Sequence, residues 1–209
     1  MDTQVLQVRR AGYAYLLDKL GLIGMPNWHT SLVSGSGSHR SMVREGIIEE
    51  TYPIRYWPGE HIGDHLEFAL KYDGVNLGLL NLIFGNLSQA DLIEYIRSKP
   101  TGKYARRIWF FYEFLTGQQL PVEDIISGNY VDALETTEYY TVRNGGKSPR
   151  HRIVNNLLGP QTFCPIVRRT EKLSKLDSYD LRERCEGIVT AHDPELLRRA
   201  LRYLYHKET

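Results

Sequence analysis

The sequence predicts an α+β fold: a mainly α-helical domain with small β elements. Three observations carry this. Residues 60–117 hold four helical patterns joined by very short connections, which favours neighbouring helices packing directly on one another. Two segments, near 46–57 and 130–157, are rich in β-branched and aromatic residues and are broken by Gly and Pro. From Thr170 the pattern is helical again. The 209 residues suffice for one large domain or two small ones. We expect a single domain over 1–209, made of a helical block at about 60–117, a mixed basic segment at about 118–170 and C-terminal helices at about 171–207.

In chain order, Val5, Val8, Tyr13, Leu16, Leu17 and Leu20 form an apolar stripe that predicts a helix from about Thr3 to Leu20, stopped by Gly21. MPNWHTSLVSGSGSHRS reads as a loop with a Gly/Ser-rich centre from Ser34 to Ser38. Such a loop can hold phosphate with its N–H groups, although most are plain surface loops. IIEETYPIRYW leans to strand, and Pro53 confines it to an edge or a bulge.

Helices follow. One carries Ile62, Leu66, Ala69 and Leu70 and ends at Gly74; the next is capped by Asn76 and stops at Gly85. The third begins at Ser88-x-x-Asp91, which resembles a capping box. The fourth, PTGKYARRIWFFYEFLTG, is the stretch the chain is organised around. Thr101 is placed to cap it and Gly117 to end it in the left-handed conformation. Tyr104, Ile108, Phe111, Tyr112 and Leu115 recur at helical spacing, and Trp109, Phe110 and Phe114 fill most of the remaining circumference. A helix apolar on most sides is buried on most sides. An aromatic platform for bases would need those rings exposed.

Beyond Gly117, Pro121 to Gly128 reads as a connector, YVDAL and EYYTV as two short strands, Asn144-Gly145-Gly146 as a turn, and His151 to Leu158 as a strand or irregular segment. Asp193-Pro194-Glu195 starts a last helix lined by Leu197, Ala200, Leu201 and Leu204.

Composition excludes several classes. Net charge is +1, so bulk charge points to neither nucleic acid nor membrane, and no apolar run approaches the about 18 residues of a membrane span. MDTQVLQVRR lacks a signal-peptide core. Cys164 and Cys185 make neither a metal spacing nor a disulfide framework, which makes a reducing cytoplasm the natural home.

The clearest anomaly is electrostatic. From Tyr139 to Thr170 there is no acid, while Arg143, Lys147, Arg150, His151, Arg152, Arg168 and Arg169 all fall there. Folded onto one face, they form a basic patch for an acidic partner surface, for nucleotide phosphates or for nucleic acid. The plainer alternative is that they pair with some of the 25 acids elsewhere in the chain.

Three weaker patterns are set aside. Gly145-Gly146-Lys147-Ser148 resembles the end of a P-loop, but Thr141 stands where the first Gly is needed, and Pro149 disfavours the following helix. His61 and His65 share a helix face, yet no third zinc ligand is evident. Cys164 with His151 is an imaginable nucleophile and base, but a Cys between Phe163 and Pro165 reads as packing.

PNWHTSLVS, YPIRYWPGEHIGDHLEFALKYDGVNL, YIRSKPTGKYARRIWFFYEFLTG, SPRHRIVNN and FCPIVRR, in that order and across most of the chain, resemble the region ahead of the catalytic domain in one branch of bacterial Fic-family (filamentation-induced-by-cAMP) proteins. Members of that family typically transfer AMP from ATP to hydroxyl side chains of target proteins, with the motif H-P-F-x-[DE]-G-N-G-R. This chain has no His-Pro pair, and the family's inhibitory motif, [ST]-x-x-x-E-[GN], is expected soon after a tail such as YLYHKET, with which the 209 residues end. No catalytic residue, cofactor site or metal ligand therefore carries over. ATP and a divalent metal are implied only for the catalytic domain. The resemblance implies a non-catalytic regulatory or target-recognition module, whose partners are a C-terminal Fic domain and its target proteins. The alternative is a nucleic-acid-binding module using the basic stretch 143–169.

Overall fold

The computed structural model describes residues 8–35, 38–177 and 180–207. The fold is α+β. The chain divides into two compact units, 1–168 and 169–209, where the sequence reads as one domain. The difference has a physical basis: the first unit encloses a buried apolar core, whereas no described residue of the second unit is buried.

The first unit opens with β1 (Val8–Ala11) and α1 (Gly12–Leu20). The expected helix from Thr3 is thus a strand followed by a helix; residues 3–7 lie outside the described residues. Gly21 ends α1 in the left-handed conformation, as expected. The segment read as a loop instead contains β2 (His29–Ser34) and the start of β3 (Arg40–Arg44); Ser36 and Gly37 at its centre lie outside the described residues. β4 (Ile47–Pro53) completes a sheet ordered β1-β2-β4-β3, with β2 and β4 parallel and the other pairs antiparallel. β4 is therefore interior rather than an edge. Pro53 is tolerated because it is the last residue, where the strand passes into a single 3₁₀ turn at Ile54–Tyr56.

The helical block is as the pattern predicts. α2 (Ile62–Phe68) runs into one π turn at Ala69–Asp73, followed by α3 (Leu77–Phe84), α4 (Gln89–Ser98) and α5 (Lys103–Thr116). Asn76 caps α3 by accepting from Leu79 N–H, and Ser88 caps α4 by accepting from Ala90 N–H. Thr101 does not cap α5; Gly102 holds that position without a side-chain bond. Gly117 ends α5 at φ 69°. Every residue from Ala105 to Tyr112 is buried, so α5 is the centre of the core and its rings form no exposed platform. α2, α3 and α4 pack on it, with Ile62 and Leu66, Leu80 and Ile83, and Leu92 and Ile96 in the shared core, and α1 joins that core through Tyr13 and Leu16 by packing on α2 and α3. A smaller cluster of Ala11, Val33, Tyr52 and Phe68 joins the sheet to α2.

A second sheet holds β5 (Val131–Asp132), β6 (Gly146–Ser148) and β7 (Ile153–Asn155), ordered β5-β7-β6. Of the two strands expected at 130–142, the second is reduced to one bridge, Tyr139 to Arg168. The second unit comprises α6 (Glu171–Asp177), α7 (Leu181–Thr190) and α8 (Pro194–Lys207), and Asp193 caps α8 through Glu195 N–H at 2.7 Å.

Candidate functional site

The most concentrated polar chemistry surrounds Asp73, the last residue of the π turn, which is 1% exposed. Its Oδ2 accepts Tyr13 N–H at 3.0 Å, and its Oδ1 accepts the Ser31 hydroxyl at 2.5 Å and faces His29 Nδ1 at 3.3 Å. The period-two alternation of β2 aims His29, Ser31 and Val33 inward together. His29 Nε2 stands 3.3 Å from Glu50 on β4, and Glu50 also accepts the Tyr52 hydroxyl and lies 3.6 Å from His39. The result is a chain of groups from a half-exposed carboxylate at the sheet to a buried one among the helices.

Next to it, Tyr13 donates its hydroxyl to Gly74 C=O and accepts from Asn76 N–H, while Tyr139 accepts from Val75 N–H. Asn27 donates to the carbonyls of His29 and Asp73. Residues 73–76 thus tie sheet, α1, α3 and the later loop into one hub. Gly12 is required here: its φ is +61°, and a Cβ on it would lie 1.9 Å from Asp73 Oδ2.

Burial opposes the charge on His29, but the carboxylates of Asp73 and Glu50 outweigh it and hold the imidazole above its ordinary pKa. Burial also pushes Asp73 up, partly offset by the donors from His29, Ser31 and Tyr13. Glu50 is held below the usual range: burial raises it, and the Tyr52 hydroxyl and His29 more than reverse this. The hub borders a cleft of about 620 Å³ between α1, the 22–27 loop and the sheet, lined by Arg10, Tyr13, Asn27, His29, Thr30 and Glu49 among others. Sequence reasoning missed this group because Asp73 and Tyr13 are 60 residues apart. HTSLVS carries little signal of it, because the inward residues His29, Ser31 and Val33 alternate with Thr30 and Leu32 without an apolar/polar contrast.

The basic stretch is largely engaged within the protein. Arg150 donates to Glu113, to Asp124 and to Leu120 C=O. His151 is buried against Trp109 and Phe110, with Nδ1 2.7 Å from Ser148 Oγ and Nε2 3.0 Å from Glu113 Oε2. Burial and the neighbouring Arg150 outweigh Glu113 and keep His151 below its ordinary pKa. The Glu113 carboxylate also accepts Trp109 Nε1–H and Leu120 N–H, so it fastens α5 to the β6–β7 turn. Arg152 donates to the carbonyls of Ile125 and Ile126 and stacks with Lys147 on Tyr130. Arg168 lies over Trp28, and Arg169, in the second unit, pairs with Asp177 at 3.6 Å. Arg143 is exposed.

The weaker patterns resolve locally. Lys147 and Ser148 belong to β6, with no helix after them. His61 caps α2 by accepting from Gly63 N–H. His65, fully buried, donates Nε2–H to Gly59 C=O and stacks on Tyr15; burial drives its pKa down to about 4. No group of three or more His, Cys, Asp or Glu poised for a metal occurs among the described residues. Cys164 lies in a groove with Trp28 and Arg168, surroundings unlike those of His151, and burial pushes its thiol up. No helix is long and apolar enough to cross a membrane among the described residues.

Comparison with protein-family models, with curated proteins and with solved structures returned no match for this chain.

Proposed function

We propose that the chain is a non-catalytic regulatory or target-recognition module that works with a Fic-type AMP transferase domain. One observation carries the reading. The stretches that resemble the region ahead of a Fic catalytic domain supply the frame itself: YPIRYWPGEHIGDHLEFALKYDGVNL runs from Tyr52 through α2, the π turn and Asp73 to Leu77, and YIRSKPTGKYARRIWFFYEFLTG builds the end of α4 and all of α5. Their polar residues tie elements together, as Asp73 and Glu113 do, which suits a scaffold placed beside a reaction centre. The motif H-P-F-x-[DE]-G-N-G-R is absent from the 209 residues, so the chain lacks the family's His base and its Gly/Asn anion nest.

The test uses labelled ATP in a cell lysate with three samples: the chain alone, a Fic-type catalytic domain from the same genome, and both together. The chain alone adds no label above a heat-killed control, and its addition changes the rate or the set of proteins labelled by the catalytic domain. An unchanged labelling pattern overturns the proposal.

A further inference from the structure

The geometry points to the outer edge of β3 as a docking site for an extended, acidic peptide segment of a partner protein, which adds to the sheet as a fifth strand. β3 lies at the end of the order β1-β2-β4-β3 and pairs only with β4 among the described strands. All five of its residues, Arg40 to Arg44, are exposed. It is joined to β4 by a two-residue turn, Glu45 at φ 50° and Gly46 at φ 81°, the left-handed pair that matches the twist of a hairpin. One row of its backbone N–H and C=O groups faces away from β4, and such a row templates another strand.

Side-chain alternation puts Arg40, Met42 and Arg44 on one face of the strand and Ser41 and Val43 on the other. Neither guanidinium makes a hydrogen bond, ion pair or ring contact among the described residues. The two lie about 14 Å apart along the strand, at about 3.4 Å per residue. Met42 and Val43 are 46% and 70% exposed. The charge nearest this face on the neighbouring strand is Glu49, opposite Met42. An added strand whose residues run acid, any, apolar, any, acid meets Arg40 and Arg44 with its carboxylates and Met42 with its apolar side chain.

Two other occupants fit worse. A second copy pairing antiparallel through β3 sets Arg40 against Arg44 twice, and like charges directly opposite are destabilising. Nucleic acid offers phosphate acceptors but no phosphate donors, so it leaves the outward C=O groups of the edge unmatched, whereas a peptide satisfies both. The inference rests on the recognition reading above, because it names the kind of segment recognised.

The experiment titrates the full chain into a fluorescein-labelled peptide with the core Glu-Thr-Val-Thr-Glu, read by anisotropy at low and physiological salt without any AMP transferase. We expect saturable binding in the range of about 1–100 µM. The double variant Arg40→Glu/Arg44→Glu, shown folded by circular dichroism, weakens it at least about tenfold. That variant instead takes up the peptide with Lys in place of both Glu. N-methylation of alternate peptide amides abolishes binding in one phase and leaves it in the other, since only alternate amides face the edge. Absence of binding, binding indifferent to the double variant, equal effects of both methylation phases, or equal affinity for duplex DNA each overturns the proposal. Because the readout involves no AMP transfer, a chain that binds the peptide yet leaves labelling unchanged sinks the Fic association while the edge site stands.

Discussion

Replacing Gly12 by Ala should unfold a large part of this protein's stability through a single methyl group. Gly12 has φ +61°, and its Cβ would sit 1.9 Å from Asp73 Oδ2 and 3.3 Å from a Phe68 ring carbon. The left-handed backbone costs an L side chain about 1–2 kcal/mol. The contact itself forces the carboxylate off Tyr13 N–H, and a buried donor left without a partner costs a further 1–3 kcal/mol or so. Together the two amount to about 2–5 kcal/mol, and Ser31 and His29, which share that carboxylate, push the loss toward the upper end. Gly21 supplies the internal control: its φ is +63°, and a Cβ there meets nothing within 4 Å, so Gly21→Ala pays the backbone term alone. Urea denaturation at pH 7 of wild type and both variants separates the terms, and the His29 imidazole, followed by NMR titration, should fall toward its ordinary pKa only in Gly12→Ala. Equal destabilisation of the two variants, with an unchanged His29 titration, would refute the hub.

Other outcomes follow from the same structure. Phe111→Ala, at a fully buried position on α5, should destabilise by about 3–5 kcal/mol, and a denaturant midpoint near wild type would show that α5 is not central. His65 is held at about 4 against an unfolded value of 6.5, so its contribution is complete above pH 6.5 and is lost as pH falls toward 4; at 1.36 kcal/mol per pH unit the loss reaches about 3 kcal/mol. In denaturation curves at pH 7 and pH 4.5, His65→Gln should narrow that difference; the same difference in both proteins would contradict it. His29 acts oppositely: its folded pKa is raised, so its contribution is full below 6.5 and declines as pH rises through the raised value, and His29→Gln should flatten that alkaline decline. Duplex DNA should bind no tighter than about 10⁻⁴ to 10⁻⁶ M at physiological salt, and nanomolar, sequence-dependent binding with a log–log salt slope near −5 or so would favour a nucleic-acid module.

The helical block was legible because its apolar spacing and its punctuation agree. Asn76, Ser88, Gly117 and Asp193-Pro194 each mark the boundary the structure has, and the all-round apolar α5 is buried as such a helix must be. The sheet was not legible for a physical reason. β2 turns His29 and Ser31 inward to meet Asp73, so two of the three residues His29, Ser31 and Val33 on its buried face are polar, and the apolar/polar alternation that marks a strand is lost. β1 was absorbed into a helix because Val8 falls on the same 3.6-residue stripe as α1. Charge in the 143–169 stretch was visible, but its use was not: Arg150 and Arg152 meet Glu113, Asp124 and backbone carbonyls from residues 120–126, and no local pattern announces those partners. The hub joins residues from four separate segments, and only the folded chain brings them together.

The central claim is association with a Fic-type AMP transferase domain, and calorimetric titration of the 209-residue chain with such a domain from the same genome tests it most directly. The account predicts a saturable one-to-one heat of binding that survives physiological salt. A flat titration at concentrations of about 100 µM, with both proteins folded, would contradict it.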